Sequence, residues 1–193
     1  MAFETLPALL SQALVAKGYE ALTPGDKAPE EITVIIEIVE GASSVKYEVD
    51  KDSNCLMVDR FMNVAMHYPA NYGFVPKTLY DDGDPVDVLV LTPEPIVAGS
   101  VIECRPVAVL GTEDESGLDA KILAVPKDKV ATDYYKDVRD LDDVDERLKN
   151  KIAHFFEHYK DHEKGKWSKI SGWEGAEKAK AEIQKSIDAY NNS

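Results

Sequence analysis

Asp82-Gly83-Asp84-Pro85-Val86-Asp87 runs directly into Val88-Leu89-Val90-Leu91, and this join decides how the chain is read. Gly83 permits a tight turn, Pro85 holds Asp84 extended, and the apolar run over 86–91 reads as a buried strand. Asp87 therefore starts among apolar neighbours. Three carboxylates packed this closely repel and raise one another's pKa unless a divalent cation or a proton neutralises them. Hard oxygen donors with no Cys or His nearby favour Mg²⁺, Mn²⁺ or Ca²⁺ over zinc. In a chain with 36 acidic residues, an acidic turn without function is the rival reading. An EF-hand calcium loop is excluded: counted from Asp82, the position that needs Gly is Asp87 and the one that needs Glu is Pro93.

The neighbouring strands weigh against the rival, because they carry charge where a core strand should carry none. Glu37 interrupts Val34-Ile35-Ile36 and Ile38. In Val45-Lys46-Tyr47-Glu48-Val49 the two-residue period puts Lys46 and Glu48 on one face, opposite Tyr47. Asp119 and Lys121 flank Ala120 just before Ile122-Leu123-Ala124-Val125, with Asp114 a short loop earlier. One such pair on a surface is worth about 0–1 kcal/mol and implies nothing. Several of them beside an acid cluster imply a charged site.

Short strands are predicted over 32–39, 45–49, 56–61, 86–91, 101–110 and 121–125, separated by Gly, Pro, Asn or Asp. Two helices follow. Val144, Leu148, Ile152, Phe155, Phe156 and Tyr159 form one helical stripe. Ser171-Gly172-Trp173-Glu174 has the form of a capping box opening the other, with Ile183 and Ile187 facing inward. Pattern alone predicts an α+β fold built on an antiparallel barrel or sandwich.

A chain of 193 residues suits a single domain able to bury a real core. With 22 basic against 36 acidic residues the formal charge is −14, which argues against nucleic acid or an anionic membrane as partner. Cys55 and Cys104 sit in apolar, strand-like contexts without C-x-x-C spacing and read as buried, reduced thiols. The apolar stretch 6–15 follows Glu4 rather than a basic segment, and Ser11-Gln12 interrupts it. Leu9, Leu10, Ala13 and Leu14 recur at helical spacing, so it reads as a short amphipathic helix and not as an export signal or a membrane span. The expected location is the cytoplasm.

The run from Asp82 to Val88 matches D-x-D-P-x-D-x, and on it the chain resembles the soluble family I inorganic pyrophosphatases, most of all their compact bacterial branch. The likeness continues through Glu37, Lys46-Tyr47-Glu48, Asp59-Arg60-Phe61, Tyr68-Pro69, Asn71-Tyr72-Gly73, Asp114, Asp119, Lys121 and His154-Phe155-Phe156-Glu157-His158-Tyr159-Lys160. It covers about residues 30–175 and leaves 1–17 as a helical extension of one domain spanning 1–193. The resemblance implies a five-stranded antiparallel OB-like β-barrel with helices packed outside. It also implies Mg²⁺-dependent hydrolysis of inorganic pyrophosphate to two orthophosphates by a metal-activated water, and a homohexamer. By the same resemblance Asp82, Asp87 and Asp119 hold one Mg²⁺, Asp87 also bridges to a second, and Asp114 with Asp119 bind a further ion, with Mn²⁺ or Zn²⁺ as substitutes. Lys46, Arg60, Tyr72, Tyr159 and Lys160 look like phosphate ligands. Lys121 lies beside the metals, and Tyr68, Glu37 and Glu48 support the site, the glutamates through metal-bound waters. Asp84, held by Pro85, is the candidate general base or orienter of the attacking water.

Two other function classes compete. An OB-like barrel suggests a nucleic-acid-binding module with Tyr68, Tyr72 and Tyr80 as its stacking platform, although the acid cluster would repel a phosphate backbone. His154-Phe155-Phe156-Glu157-His158 satisfies the H-x-x-E-H pattern of one zinc metallopeptidase group, and His162 extends the row. Three fixed positions are a weak signal, and the core stripe accounts for the helix without metal. In a hexamer the same row would pack against another subunit.

Overall fold

The computed structural model describes residues 18–131 and 133–193, so the helix expected over 6–15 lies outside the described residues. A one-turn helix α1 (Gly18–Ala21) precedes β1 (Ile32–Ile38), β2 (Val45–Val49), β3 (Leu56–Phe61), β4 (Asn71–Phe74), β5 (Asp87–Val90), β6 (Val101–Asp114), β7 (Gly117–Leu118) and β8 (Lys121–Pro126). A 3₁₀ turn (Leu141–Asp143), α2 (Glu146–His158), β9 (Ser168–Gly175) and α3 (Ala176–Asn191) complete it.

Strands that are apolar at nearly every position must be covered on both faces. Along β5, Val88 and Val90 enter one core and Leu89 the other; along β8, Ile122 and Ala124 alternate with Leu123 and Val125 in the same way. The stripe of α2, with Ile152, Phe155 and Phe156, covers the face of Leu89, Leu123 and Val125. Ala179 and Ile183 of α3 cover the face of Val88, Val90, Ile122 and Ala124. In β1 the register shifts between Ile36 and Ile38, a bulge that leaves Glu37 as the odd residue of an otherwise apolar strand.

The sheet closes on itself in the order β1, β4, β5, β8, β6 and back to β1. Four of these seams are antiparallel, and the fifth, β5 with β8, is parallel. The expected OB-like barrel is therefore present, with one parallel seam in what was read as an antiparallel ring. The chain leaves β5, crosses to β6, turns back through β7 and enters β8 in the direction of β5. β9 adds to β6, while β2 and β3 pair as a separate ribbon.

Three local expectations change. Ser171–Glu174 is no capping box: it lies within β9, where Trp173 faces Leu110 and Glu174 faces Val109. The last helix starts at Ala176, whose N–H donates to Asp140 Oδ1 at 2.8 Å, so its cap comes from the 3₁₀ turn and not from the adjacent sequence. Cys104 is buried as expected, but Cys55 is exposed at the turn entering β3. β4 was not anticipated, because Asn71-Tyr72-Gly73-Phe74 carries no hydrophobic alternation. Its conformation is imposed by pairing with β1 and β5, and Gly73 permits the close approach to β1. A Cβ there would overlap the Ile35 carbonyl. Gly73→Ala is expected to cost about 3 kcal/mol in urea unfolding, and a loss below about 0.5 kcal/mol would show that β1 and β4 are not locked at this distance.

Candidate active site

Parallel pairing puts Asp87 of β5 opposite Lys121 of β8. Two parallel strands begin at the same end of a sheet. The turn before β5, with Asp82 and Asp84, therefore meets the hairpin before β8, with Asp114 and Asp119, at one mouth of the barrel. An antiparallel seam would have sent them to opposite ends. The turn is tied by its own backbone: Tyr80 N–H donates to the Asp84 carbonyl at 2.7 Å and Gly83 N–H to the Tyr80 carbonyl at 3.0 Å, with Gly83 at φ +89°. Asp82 Oδ1 accepts from Asp84 N–H at 3.0 Å.

Lys121 occupies the junction and is 2% exposed. Its ammonium donates to both Asp119 oxygens at 2.6 and 2.7 Å, to Asp87 Oδ2, and to the Tyr72 hydroxyl at 3.4 Å. Burial disfavours its charge, yet Asp87 and Asp119 hold its pKa well above the ordinary value. Burial pushes Asp119 up to about 6 in spite of Lys121, and it also raises Asp82. Lys160, at the end of α2, donates to Asp114 Oδ2 at 2.6 Å; against the effect of burial, this contact keeps Asp114 below its usual value. Tyr68, Tyr72 and Tyr159 are buried, and burial holds all three phenols protonated.

The β2–β3 ribbon forms the facing wall. Lys46 and Arg60 are direct cross-strand partners, so their cations sit side by side. Asp59 bridges them, at 3.4 Å from Lys46 Nζ and 2.6 Å from the Arg60 guanidinium, while Glu48 pairs with Lys46 and Glu163 with Arg60. Glu37 reaches from the bulge in β1 to accept the Val49 N–H at 2.6 Å, which fastens ribbon to barrel. Across the mouth, Lys51 at the ribbon tip pairs with Asp84 at 2.7 Å.

Together these elements enclose a cavity of about 840 Å³ whose lining includes all fourteen residues singled out from sequence. Asp84 is the most open of the acids, its side chain 66% exposed at the rim. Sequence reading missed Tyr19, Glu20, Lys51, Asn54 and Glu115, which also line the cavity. They lie in α1 or in turns, where no periodicity marks a residue as facing inward. Lys51 alone left a trace, as a cation next to the end of a charged strand.

The lining carries nine carboxylates against seven Lys or Arg side chains and contains no His or Cys. A net negative pocket of hard oxygen donors suits a hard divalent cation such as Mg²⁺, Mn²⁺ or Ca²⁺ better than zinc. Among the described residues no three carboxylate, imidazole or thiol groups already converge as ion ligands. Lys121 and Lys160 supply the positive charge between the acids instead. The rival readings lose their footing in the same geometry. His154 and His158 lie outside the cavity lining, with rings 4.6 Å apart, and His158 Nδ1 is 3.0 Å from Asp161. Tyr68, Tyr72 and Tyr80 are all buried and offer no stacking platform.

Comparison with known proteins gives a consistent result. A family model described as Inorganic pyrophosphatase matches residues 34–191. The inorganic pyrophosphatase of Escherichia coli (strain K12) is 57% identical over 168 residues, covering 87% of this chain and 95% of that protein. That of Aquifex pyrophilus is 51% identical over 173 residues, with 90% and 97% covered. Among solved structures, an inorganic pyrophosphatase from Coxiella burnetii superposes with a TM-score of 0.84 at 47% identity over 88% of this chain and 99% of its own. The inorganic pyrophosphatase from Thermus thermophilus gives 0.82 at 43% identity, covering 90% and 98%.

Glu37 offers a test of the electrostatics that needs no substrate. Burial pushes its pKa from 4.5 up to about 8. A carboxyl whose pKa is raised on folding contributes stability below its unfolded pKa, and this is lost as pH rises through the folded value. In metal-free buffer, Glu37→Gln should therefore gain on the wild type between pH 5 and pH 8, by an amount on the order of a few kcal/mol. Thermal melts whose difference stays constant across that range would contradict a buried, proton-holding Glu37.

Proposed function

The chain belongs to the inorganic pyrophosphatase family, and we propose that the cavity at the parallel seam is where it hydrolyses pyrophosphate to two orthophosphates, with Mg²⁺ as its metal. What carries this reading is the division of the lining: acids gather at the strand starts of β5 and β8, and cations face them from the ribbon and the end of α2. Pyrophosphate is a compact polyanion, and its hydrolysis is slow because a nucleophile must approach dense negative charge. Electrostatic cancellation and positioning are the main demands of phosphoryl transfer.

Asp82, Asp87 and Asp119 would hold one ion, Asp87 would also reach a second, and Asp114 with Asp119 a further one. Divalent ions in such a site supply Lewis acidity toward phosphate oxygens and make a water acidic enough to lose its proton near neutral pH. Once their carboxylate partners are engaged elsewhere, Lys121 and Lys160 are released to donate to phosphate oxygens. Lys46 adds a point charge, and the planar Arg60 guanidinium can grip two oxygens at once. Tyr72 and Tyr159 keep their protons and serve as neutral donors. Asp84 takes the proton of the attacking water or orients that water. Its pair with Lys51 must open for this, and its exposure at the rim leaves room for that motion. Glu48 steadies Lys46, Tyr68 backs Tyr72 with ring centroids 5.6 Å apart, and Glu37 fixes the distance between ribbon and barrel.

The protein is proposed to work in the cytoplasm as a single domain assembled into a homohexamer. Among the described residues no helix is long and apolar enough to cross a membrane. β3 leaves Val58 and Phe61 exposed at 51 and 74%, on the ribbon face that carries Tyr47 and Val45, a surface that another subunit would cover.

Phosphate release from pyrophosphate should require Mg²⁺ and stop in EDTA. Asp84→Asn should lower turnover about 100-fold while keeping the magnesium requirement, and Lys46→Met should act mainly by raising KM. Release that ignores EDTA, or near-native turnover in Asp84→Asn, would sink the assignment.

A further inference from the structure

We propose that α3 braces the carboxylate turn and that Tyr80 and Glu182 are positioning residues for the reaction; the proposal rests on the reading of the cavity given above. The three residues that precede Asp82 are each fastened to α3 by a different contact. Leu79 N–H donates to the Ser186 carbonyl at 2.9 Å. The Tyr80 hydroxyl donates to Glu182 Oε2 at 3.0 Å. Lys185 Nζ donates to both Asp81 oxygens at 2.9 and 2.7 Å and lies 5.3 Å from the centroid of the Tyr80 ring.

These anchors differ in strength. The Asp81–Lys185 pair is solvent-exposed on both sides, so screening leaves it little worth. Tyr80 is 8% exposed, packed in the core that holds Val86, Val88, Ala179 and Ile183. Its acceptor Glu182 is steadied in turn by Lys178, 2.6 Å from the other carboxylate oxygen. Of the two side-chain anchors, the Tyr80–Glu182 bond is thus the one that cannot be exchanged for water at no cost, and the main-chain bond from Leu79 to Ser186 holds the same segment beside it.

Tyr80 is also the residue whose main chain closes the turn, through its N–H to the Asp84 carbonyl and its carbonyl from Gly83 N–H. A shift of its side chain is passed to both ends of the acid cluster, to Asp82 by the chain and to Asp84 by the hydrogen bond. Ligand and base positions tolerate displacements of only about 0.5 Å. α3 contributes no carboxylate to the acid cluster and only Tyr190 to the cavity lining, yet through Tyr80 it sets where two of the acids stand.

Tyr80→Phe keeps the ring and removes only the hydroxyl. Mn²⁺ binding, read without turnover from the electron paramagnetic resonance of the free ion, should weaken about tenfold, as for loss of other outer partners of a metal site. With pyrophosphate and saturating metal, kcat should fall while KM stays within about twofold. Glu182→Gln keeps an acceptor for the hydroxyl and should recover most of the Mn²⁺ affinity, whereas Glu182→Leu should behave as Tyr80→Phe and replaces it if that variant does not fold. Variants that melt earlier but bind Mn²⁺ and turn over as the wild type would reduce the contact to a fold contact and overturn the brace. A wild-type protein that neither binds Mn²⁺ nor hydrolyses pyrophosphate would instead remove the reading of the cavity on which the brace depends.

Discussion

The buried ammonium of Lys121 between Asp87 and Asp119 depends on β5 and β8 running side by side in the same direction. Everything else at the mouth is arranged around that contact. Taking a lysine to 2% exposure is unfavourable unless its charge is matched, and two carboxylates over-match it. The excess negative charge is what makes the junction receptive to divalent cations. The parallel seam is therefore at once a feature of topology and the origin of the chemistry, because pairing β5 with β8 in one direction brings the turn of Asp82 to the hairpin of Asp119.

The rest of the molecule can be understood as holding that junction dry and in place. Phe156 and Tyr72 flank the lysine, each with a ring centroid 5.7 Å from its nitrogen, and α2 supplies the first of them from the face opposite α3. The ribbon faces the acids with Lys46 and Arg60 and is tethered near its tip twice, by Glu37 at Val49 and by Lys51 to Asp84. Lys46, Lys51, Arg60, Lys121 and Lys160 are each paired with an acid in the resting protein, so binding a polyanion is largely an exchange of partners within a preformed set of charges. Such an exchange requires little movement of the backbone, and it keeps the charged groups hydrogen-bonded throughout.

Much of this was legible in the sequence, for reasons that differ between residues. Val88-Leu89-Val90 and Ile122-Leu123-Ala124 are apolar at every position, which only strands covered on both faces tolerate, and a carboxylate or ammonium at the head of such a run stands out. Glu37 was visible for the same reason. β4 was not, since Gly73 is there to let two backbones approach and leaves no alternation to read. Ser171 and Glu174 misled because their spacing fits a helix start locally, while pairing with Leu110 and Val109 of β6 decides the matter from far away in the chain. The direction of β8 relative to β5 has no local signature either, being set by the path through β6 and β7. Tyr19 and the tie from Tyr80 to Glu182 were equally silent, because each depends on contacts that only the closed barrel creates.

The most direct test of this account is the melting temperature of Lys121→Met, measured with and without Mg²⁺ beside the wild type. Removing the ammonium leaves Asp87 and Asp119 without their partner, so the variant should be destabilised by roughly 3 kcal/mol or more in EDTA. Saturating Mg²⁺ should then raise its melting temperature by more than it raises that of the wild type, because the ion takes over the lost charge. An equal response in both proteins would mean that the lysine and the metal do not balance the same acids, and the junction would lose the role given to it here.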